Sequence, residues 1–346
     1  MDQMPGSFPP PPDANQPQWG NRPQPSMYPL DLGRLLSLTF SIFRFRWKMF
    51  VGLALLIMTP IWILLAAVDL AVGDTTNLYE EISQIARAGG SIDAILPRLW
   101  QSLAVDLAVG AVAGIATFVA TGALTHAAAD VYSGARASAT TSIRHSLSRF
   151  PAYLGLWLVI FLITVAVISV GVLVGTALFL ASATGGSVVP GPAVFLGLIA
   201  FVAAFAAIVF LAIRWIMAVP AIVLDNVGVT GSLRRSWRLV SGSSWRVLGY
   251  LLLFALLLGL IGGLLGAVLT LIINPFTIVG ATVVSVDPTR LAISTFVAGL
   301  ISSALMPISA IGMTLLYFDL RSRKGEKVPL PGHASAAVAT PDSVAE

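Results

Sequence analysis

The chain has 346 residues, 57% of them hydrophobic and only 10% charged, with a mean hydropathy of +0.89 and a formal net charge of +4. A water-soluble domain carries roughly 25% charged residues, so this composition excludes an ordinary soluble enzyme or binding domain. The complete lack of cysteine excludes disulfides, thiolate metal sites and cysteine nucleophiles.

Residues 1–29 hold nine of the 21 prolines, interleaved with Gln and Asn. Proline at that density blocks helix and strand pairing, and few apolar groups are there to bury, so a disordered tail is expected. It lacks the basic start and apolar run of a signal peptide. A second flexible tail is expected over residues 328–346.

Between the tails lie two stretches without any charge, Phe150 to Ile213 and Val247 to Val286. A helix crossing a bilayer needs about 20 apolar residues, so the first stretch holds two spans and the second at least one. Spans are predicted at Met49–Val72, Leu107–Ala129, Ala152–Ala183, Ala193–Met217, Val247–Ile273 and Leu291–Tyr317. Thr184-Gly185-Gly186-Ser187 and Pro190-Gly191-Pro192 break the long uncharged run, and Asn274-Pro275 ends the fifth span. Pro60 and Pro307 fall inside spans, where neighbouring helices tolerate them. The fold class is therefore all-α: a polytopic membrane domain over residues 30–327 with about six transmembrane helices. Residues 74–105 form the one long loop of the outer side, and Asn77 with Glu80 predicts a capped short helix over Leu78–Ala88.

Orientation follows from Lys and Arg. Alternate segments carry 17 of the 20 basic residues, and the other side carries only Arg87, Arg98 and Arg290. The excess of positive charge marks the cytoplasmic side, so both termini are expected there, with the chain in the plasma membrane.

Each cytoplasmic segment before an odd-numbered span carries one apolar pattern. The sets are Leu36, Phe40 and Phe43; Ile143, Leu147 and Phe150; and Leu233, Trp237 and Val240. Spacing of four then three puts each set on one helical face. A helix so divided lies flat in the membrane interface, which predicts three repeats of an interfacial elbow helix followed by a transmembrane hairpin. The elbows and their flanks bring Arg34, Arg44, Arg46, Lys48, Arg144, Arg149, Arg234, Arg235, Arg238 and Arg246 to that interface as candidate contacts for anionic lipid headgroups. Their position favours a membrane surface over nucleic acid as the partner of this basic chain (pI near 9.7).

Ionisable groups within spans are functional suspects. Here they are Asp69, Asp106, His126, Asp130, Arg214 and Asp319, most of them at span ends. His126 and Asp130, four apart, predict a hydrogen-bonded pair at a helix end, because no further ligand completes a metal site. Arg214 and Asp319 approach the same edge and are candidates to pair across helices. No cofactor is implied. An intramembrane serine protease would need a histidine on a span facing a serine on another, and His126 alone lies in a span. Mid-span polar residues are few, chiefly Thr117, Thr121, Thr164 and Ser169.

Three passages resemble a known family. They are Leu32-Gly33-Arg34-Leu35-Leu36-Ser37-Leu38-Thr39-Phe40 running on to Arg44–Phe50, Val219-Pro220-Ala221-Ile222-Val223-Leu224-Asp225 with Ser232–Gly249, and Leu316-Tyr317-Phe318-Asp319-Leu320-Arg321. Over residues 30–325 the chain resembles the membrane domain associated with bacterial glycerophosphodiester phosphodiesterases and its standalone relatives. In fused members hydrolysis belongs to a separate barrel of roughly 250 residues. Its His-Arg-Gly and Glu-x-Asp motifs are absent here, so the resemblance implies no catalytic residue. The function expected is non-enzymatic: scaffolding of membrane-protein partners, or lipid sensing and organisation through anionic headgroups. The alternative is a small-molecule or lipid permease, followed by a membrane-embedded enzyme.

Overall fold

Apolar runs bounded by turn residues become long helices, and the amphipathic stretches between them become short ones. The structure, a computed structural model, describes residues 31–72, 96–135, 137–184, 191–273 and 288–326. In chain order its elements are α1 (Leu32–Phe45), α2 (Trp47–Val72), α3 (Leu96–Tyr132), α4 (Ala139–Ser148), α5 (Phe150–Thr184), α6 (Gly191–Trp215), α7 (Ala218–Leu224), α8 (Val229–Val240), α9 (Ser244–Ile273) and α10 (Pro288–Arg323). Among the described residues there is no strand. Among the described residues six helices are long and apolar enough to cross a membrane, the fourth span running from Phe195 through α6 and the break at Ile216–Met217 into α7. The chain is a multi-pass membrane protein.

Local chemistry explains the boundaries. Pro97, Pro192 and Pro288 stand in the first turns of α3, α6 and α10, where a missing N–H costs nothing. Ile273 ends α9 directly before Asn274-Pro275. α2 and α10 continue through Pro60 and Pro307. One boundary differs from expectation: α3 begins at Leu96, so the last part of the predicted outer loop is helix. Residues 96–105 carry a single charge, Arg98, and nothing after Pro97 stops a helix from extending. The expected outer helix at Leu78–Ala88 and both terminal tails lie outside the described residues.

α10 packs along α2, and both lie against α3; α5 pairs with α6, and α9 leans on α10. Burial is concentrated at one end of this bundle. α2 buries Phe50, Leu53, Ala54 and Met58, all in its first half, whereas α3 buries residues from Val119 to Tyr132 in its last half. α5 buries only Tyr153 and Leu156 among its described side chains, and α6 buries none. Spans α2, α5 and α9 begin at the packed end, α3, α6 and α10 finish there, and α1, α4, α7 and α8 are joined to it.

The short helices α1, α4 and α8 use two adjacent faces. The face one residue before each predicted apolar set is buried in the protein: Leu35, Thr39 and Ile42; Ser142 and Ser146; Ser232, Ser236 and Leu239. The apolar sets themselves leave Phe40, Leu147 and Trp237 exposed at 37%, 53% and 40%, although Val240 turns inward and is fully buried. A small hydroxyl residue in the middle of each buried face lets the backbone come close. Ser146 Oγ donates to Val119 O at 2.7 Å, and Ser236 Oγ donates to Arg214 O at 2.7 Å. Both bonds pin a short helix to the long helix preceding it. Tyr153 and Tyr250 are fully buried beside these helices, and each sets its hydroxyl where Gly122 on α3 or Gly312 on α10 has no side chain.

Candidate functional site

The packed end carries an ion-pair node centred on Asp225. α7 is only seven residues long, and Asp225 closes it by donating its N–H to Ala221 O. Asn226 then takes a positive φ of 60°, which asparagine tolerates better than most residues. The resulting reversal aims the Asp225 carboxylate at the last turns of α10. Tyr317 and Arg321, four apart on α10 and therefore on one face, reach it together. Tyr317 donates its hydroxyl to Asp225 Oδ2 at 2.5 Å and Arg321 Nη1 donates to Oδ1 at 2.9 Å. Arg235 on α8 donates its Nε to Oδ2 at 2.7 Å.

Arg235 also forks onto Glu326, with Nη1 to Oε1 at 2.7 Å and Nη2 to Oε2. Arg321 Nε lies 3.3 Å from Glu326 Oε2. Two carboxylates thus answer two guanidiniums whose side chains are only 14% and 10% exposed. Buried charge is tolerable only when matched in this way. Burial alone would raise the Glu326 carboxyl, but the Arg235 bonds and the charges of Arg321 and Arg238 hold it below its ordinary value. Burial likewise opposes the Arg235 charge, and Glu326 with Asp225 overcomes it and pushes that group up.

A second ion-pair group differs from expectation. Arg214 does not pair with Asp319. Its Nη1 donates to Ser241 Oγ at 2.8 Å, while its guanidinium stacks over Phe210 and Trp237, 5.2 and 4.8 Å from their ring centroids. Asp319, its side chain fully buried, instead meets Arg246 at 3.2 Å and Arg323 at 3.0 Å. Two aromatic faces on neighbouring helices hold Arg214 where it stands, and Arg246 and Arg323 supply the nearer cations to Asp319.

Between the end of α6, α8 and the end of α10 runs an open groove of about 590 Å³. Trp215, Leu233 and Trp237 make it apolar, and Arg234, Arg238 and Lys324 ring it with positive charge. Arg234 is exposed, and the Arg238 side chain is 67% exposed with its nearest acidic group, Glu326, 4.0 Å away. Lys324 Nζ donates to Ser241 O at 2.9 Å.

The ten basic residues expected at the interface therefore divide. Arg235 and Arg246 are held in ion pairs by Asp225, Glu326 and Asp319. Asp225 stands ten residues from Arg235, whereas Glu326 and Asp319 reach Arg235 and Arg246 from 91 and 73 residues away in sequence. Arg34, Arg44, Arg46, Lys48 and Arg144 are at least partly exposed, and Arg46 also donates to Ala137 O at 2.9 Å. Arg149 caps α4 through its backbone. Only Arg234 and Arg238 of the ten line the groove; Lys324, with Trp215, was missed because α10 approaches α8 only through the fold.

His126 Nδ1 lies 3.3 Å from Asp130 Oδ2, as the spacing predicts. The structure adds His145 of α4, whose ring centroid is 4.4 Å from that of His126 and whose Nε2 is 3.3 Å from Val223 O. Burial, and then the neighbouring His126, lower the pKa of His145. Among the described residues no group of three or more His, Asp or Glu is arranged to hold a metal ion.

A groove with cations at its rim and tryptophans in its wall suits an anionic group attached to an apolar body. The fold and this edge define a multi-pass α-helical membrane protein with a basic, aromatic-lined groove. More particularly, the chain belongs to the family described as domain of unknown function (DUF7847), whose match spans residues 48–318, from the start of α2 to the penultimate turn of α10. No curated protein and no solved structure matches it.

Proposed function

We propose that this protein binds and organises anionic lipids at the cytoplasmic face of the plasma membrane, without catalysing a reaction. The observation that carries the reading is the groove in which Arg234, Arg238 and Lys324 surround Trp215, Leu233 and Trp237. Indole rings favour the headgroup level of a bilayer, and each basic residue near an anionic leaflet contributes about 1 kcal/mol of attraction. The carboxylates of Asp225 and Glu326 are taken up by guanidinium bonds, which favours binding over acid–base work. The furrow between α5 and α6 is lined by Ala, Val and Gly, a surface suited to lipid rather than to a polar solute.

The same reading takes α1, α4 and α8, each with a buried hydroxyl face beside an apolar one, as three copies of one elbow lying in the inner leaflet. It also retains the kinship to the membrane domain of glycerophosphodiester phosphodiesterases. Asp225, Arg235, Tyr317 and Arg321, which stand in two of the passages carrying that resemblance, meet in one node.

Two experiments test this. Native mass spectrometry of the protein in mixed nanodiscs should retain phosphatidylglycerol over phosphatidylcholine, and the triple variant R234Q/R238Q/K324Q should lose that preference; equal retention by both proteins would remove the reading. Because the chain has no cysteine, S148C and T289C can be labelled on intact cells with an impermeant maleimide. Labelling of T289C but not S148C is expected, and the reverse would overturn the orientation.

A further inference from the structure

The groove has an apolar counterpart. α5 and α6 pack closely through small residues, Gly171 facing Ala204 so tightly that a Cβ on Gly171 would lie 3.2 Å from that of Ala204. Beside this contact an apolar furrow of about 370 Å³ opens, edged by Val167, Val170, Ala200 and Ala203. α6 joins the furrow to the groove. Trp215, in the groove, follows Ala204 by eleven residues, which in an α-helix leaves the two within about 20° of one face and roughly 16 Å apart. Phe210 follows Ala203 by seven residues, again on one face, and its ring meets the groove's Trp237 edge-on at 5.9 Å.

Half of a hydrocarbon core of about 30 Å is about 15 Å. With the groove at headgroup level, the furrow therefore lies where an acyl chain of the same leaflet ends. We infer that groove and furrow are two parts of a single site for one anionic phospholipid: Arg234, Arg238 and Lys324 take the phosphate-bearing headgroup, and an acyl chain follows Phe210 along α6 into the α5–α6 furrow. This inference rests on the headgroup reading above and adds the chain. Charge complementarity at one end and the leaflet-deep spacing of the two ends select a phospholipid over a protein helix as the occupant.

The test compares long-chain with short-chain phosphatidylglycerol bound to the full-length protein in nanodiscs or detergent, read by native mass spectrometry. A203W fills the furrow from an exposed position and touches no groove residue. It should abolish the preference for the long-chain lipid while leaving the short-chain lipid bound as in the parent. A200L, a smaller filling, should reduce the same preference and guards against misfolding of A203W. Unchanged preference in both variants would overturn the acyl path and leave the headgroup site standing. Loss of both lipids only in R234Q/R238Q/K324Q would likewise overturn the acyl path, whereas full binding by the triple variant would remove the headgroup site itself. A dimer dissolved by A203W would show the furrow to be occupied by a second copy and would also overturn the inference.

Discussion

Tyr317 donates its hydroxyl to Asp225 across 2.5 Å and so ties the last turns of α10 to the turn that follows α7. The same carboxylate accepts from Arg235 of α8 and from Arg321 of α10, so one side chain joins three helices. Asp225→Asn keeps the shape and removes the charge, leaving Arg235 and Arg321 to share Glu326. Removing one partner of a buried pair costs about 3 kcal/mol or more. Tyr317→Phe removes one hydrogen bond and should cost about 1–2 kcal/mol. Thermal unfolding in detergent should rank the parent above Y317F and Y317F above D225N. Equal melting of all three would show that the node does not hold the bundle.

Arg234 and Arg235 are adjacent in sequence but differ in setting. Arg234 is exposed at the groove, and Arg235 is locked between Asp225 and Glu326. R235Q should lower stability by about 3 kcal/mol, with lipid preference falling only in proportion to lost fold. R234Q should change stability by less than about 0.5 kcal/mol and weaken retention of phosphatidylglycerol. Melting and lipid retention measured on both variants check this pair, and matching effects on both readouts would refute the division.

The contrast between these two arginines shows how far the sequence could be read. Uncharged runs and turn residues were enough to place six helices, because the cost of exposing backbone in lipid leaves few alternatives. The basic character of α8 was equally plain. What the sequence hid was which arginines are spent inside the protein. Arg235 meets Asp225 ten residues away and Glu326 ninety-one residues away, and no local spacing announces the second contact. Arg214 and Asp319 failed as a pair for the same reason: aromatic faces and Arg246 compete for them in three dimensions. Nineteen residues separate His145 from His126, and only the fold sets their rings side by side. Ser142, Ser146, Ser232 and Ser236 are each fully buried, a placement that their polar side chains do not announce in the sequence.

Gly122 gives Tyr153 its place. A Cβ at residue 122 would collide with the Tyr153 hydroxyl and crowd Ser146 Oγ. Tyr153 is fully buried and cannot swing into lipid without opening the contact between α3 and α5. G122A should destabilise by about 1–3 kcal/mol, the usual cost of overpacking. Removing the hydroxyl oxygen takes away the closest of these contacts but leaves Cζ within 2.7 Å, so G122A/Y153F should recover part of that loss even though Y153F alone is no more stable than the parent. A double-mutant cycle on thermal unfolding measures the coupling, and strict additivity would show that residue 122 does not act through Tyr153.

Two titrating groups at the packed end begin to lose their contributions at different pH values. His145 is pushed down from 6.5 by burial, then by His126 and Arg149, against the opposing pull of Val223 O and Asp130. The folded state therefore prefers neutral His145, while the unfolded chain protonates near 6.5. Its contribution is complete above that pH and is lost progressively as pH falls from 6.5 to the lower folded value. Glu326 is held below 4.5 by its arginines, so its contribution is complete above 4.5 and is lost only as pH drops further, through that lowered value. Melting temperatures followed from about pH 8 downward should fall first through the histidine window and again below about 4.5. H145Q, which keeps a donor for Val223 O, should flatten the first fall and spare the second, and E326Q should do the opposite. His126, 4.4 Å from His145 and paired with Asp130, makes the comparison with H126Q necessary: that variant should ease protonation of His145 in the folded state and make the first fall shallower. Parallel profiles for the parent and H145Q would mean that the packed end does not respond to this histidine.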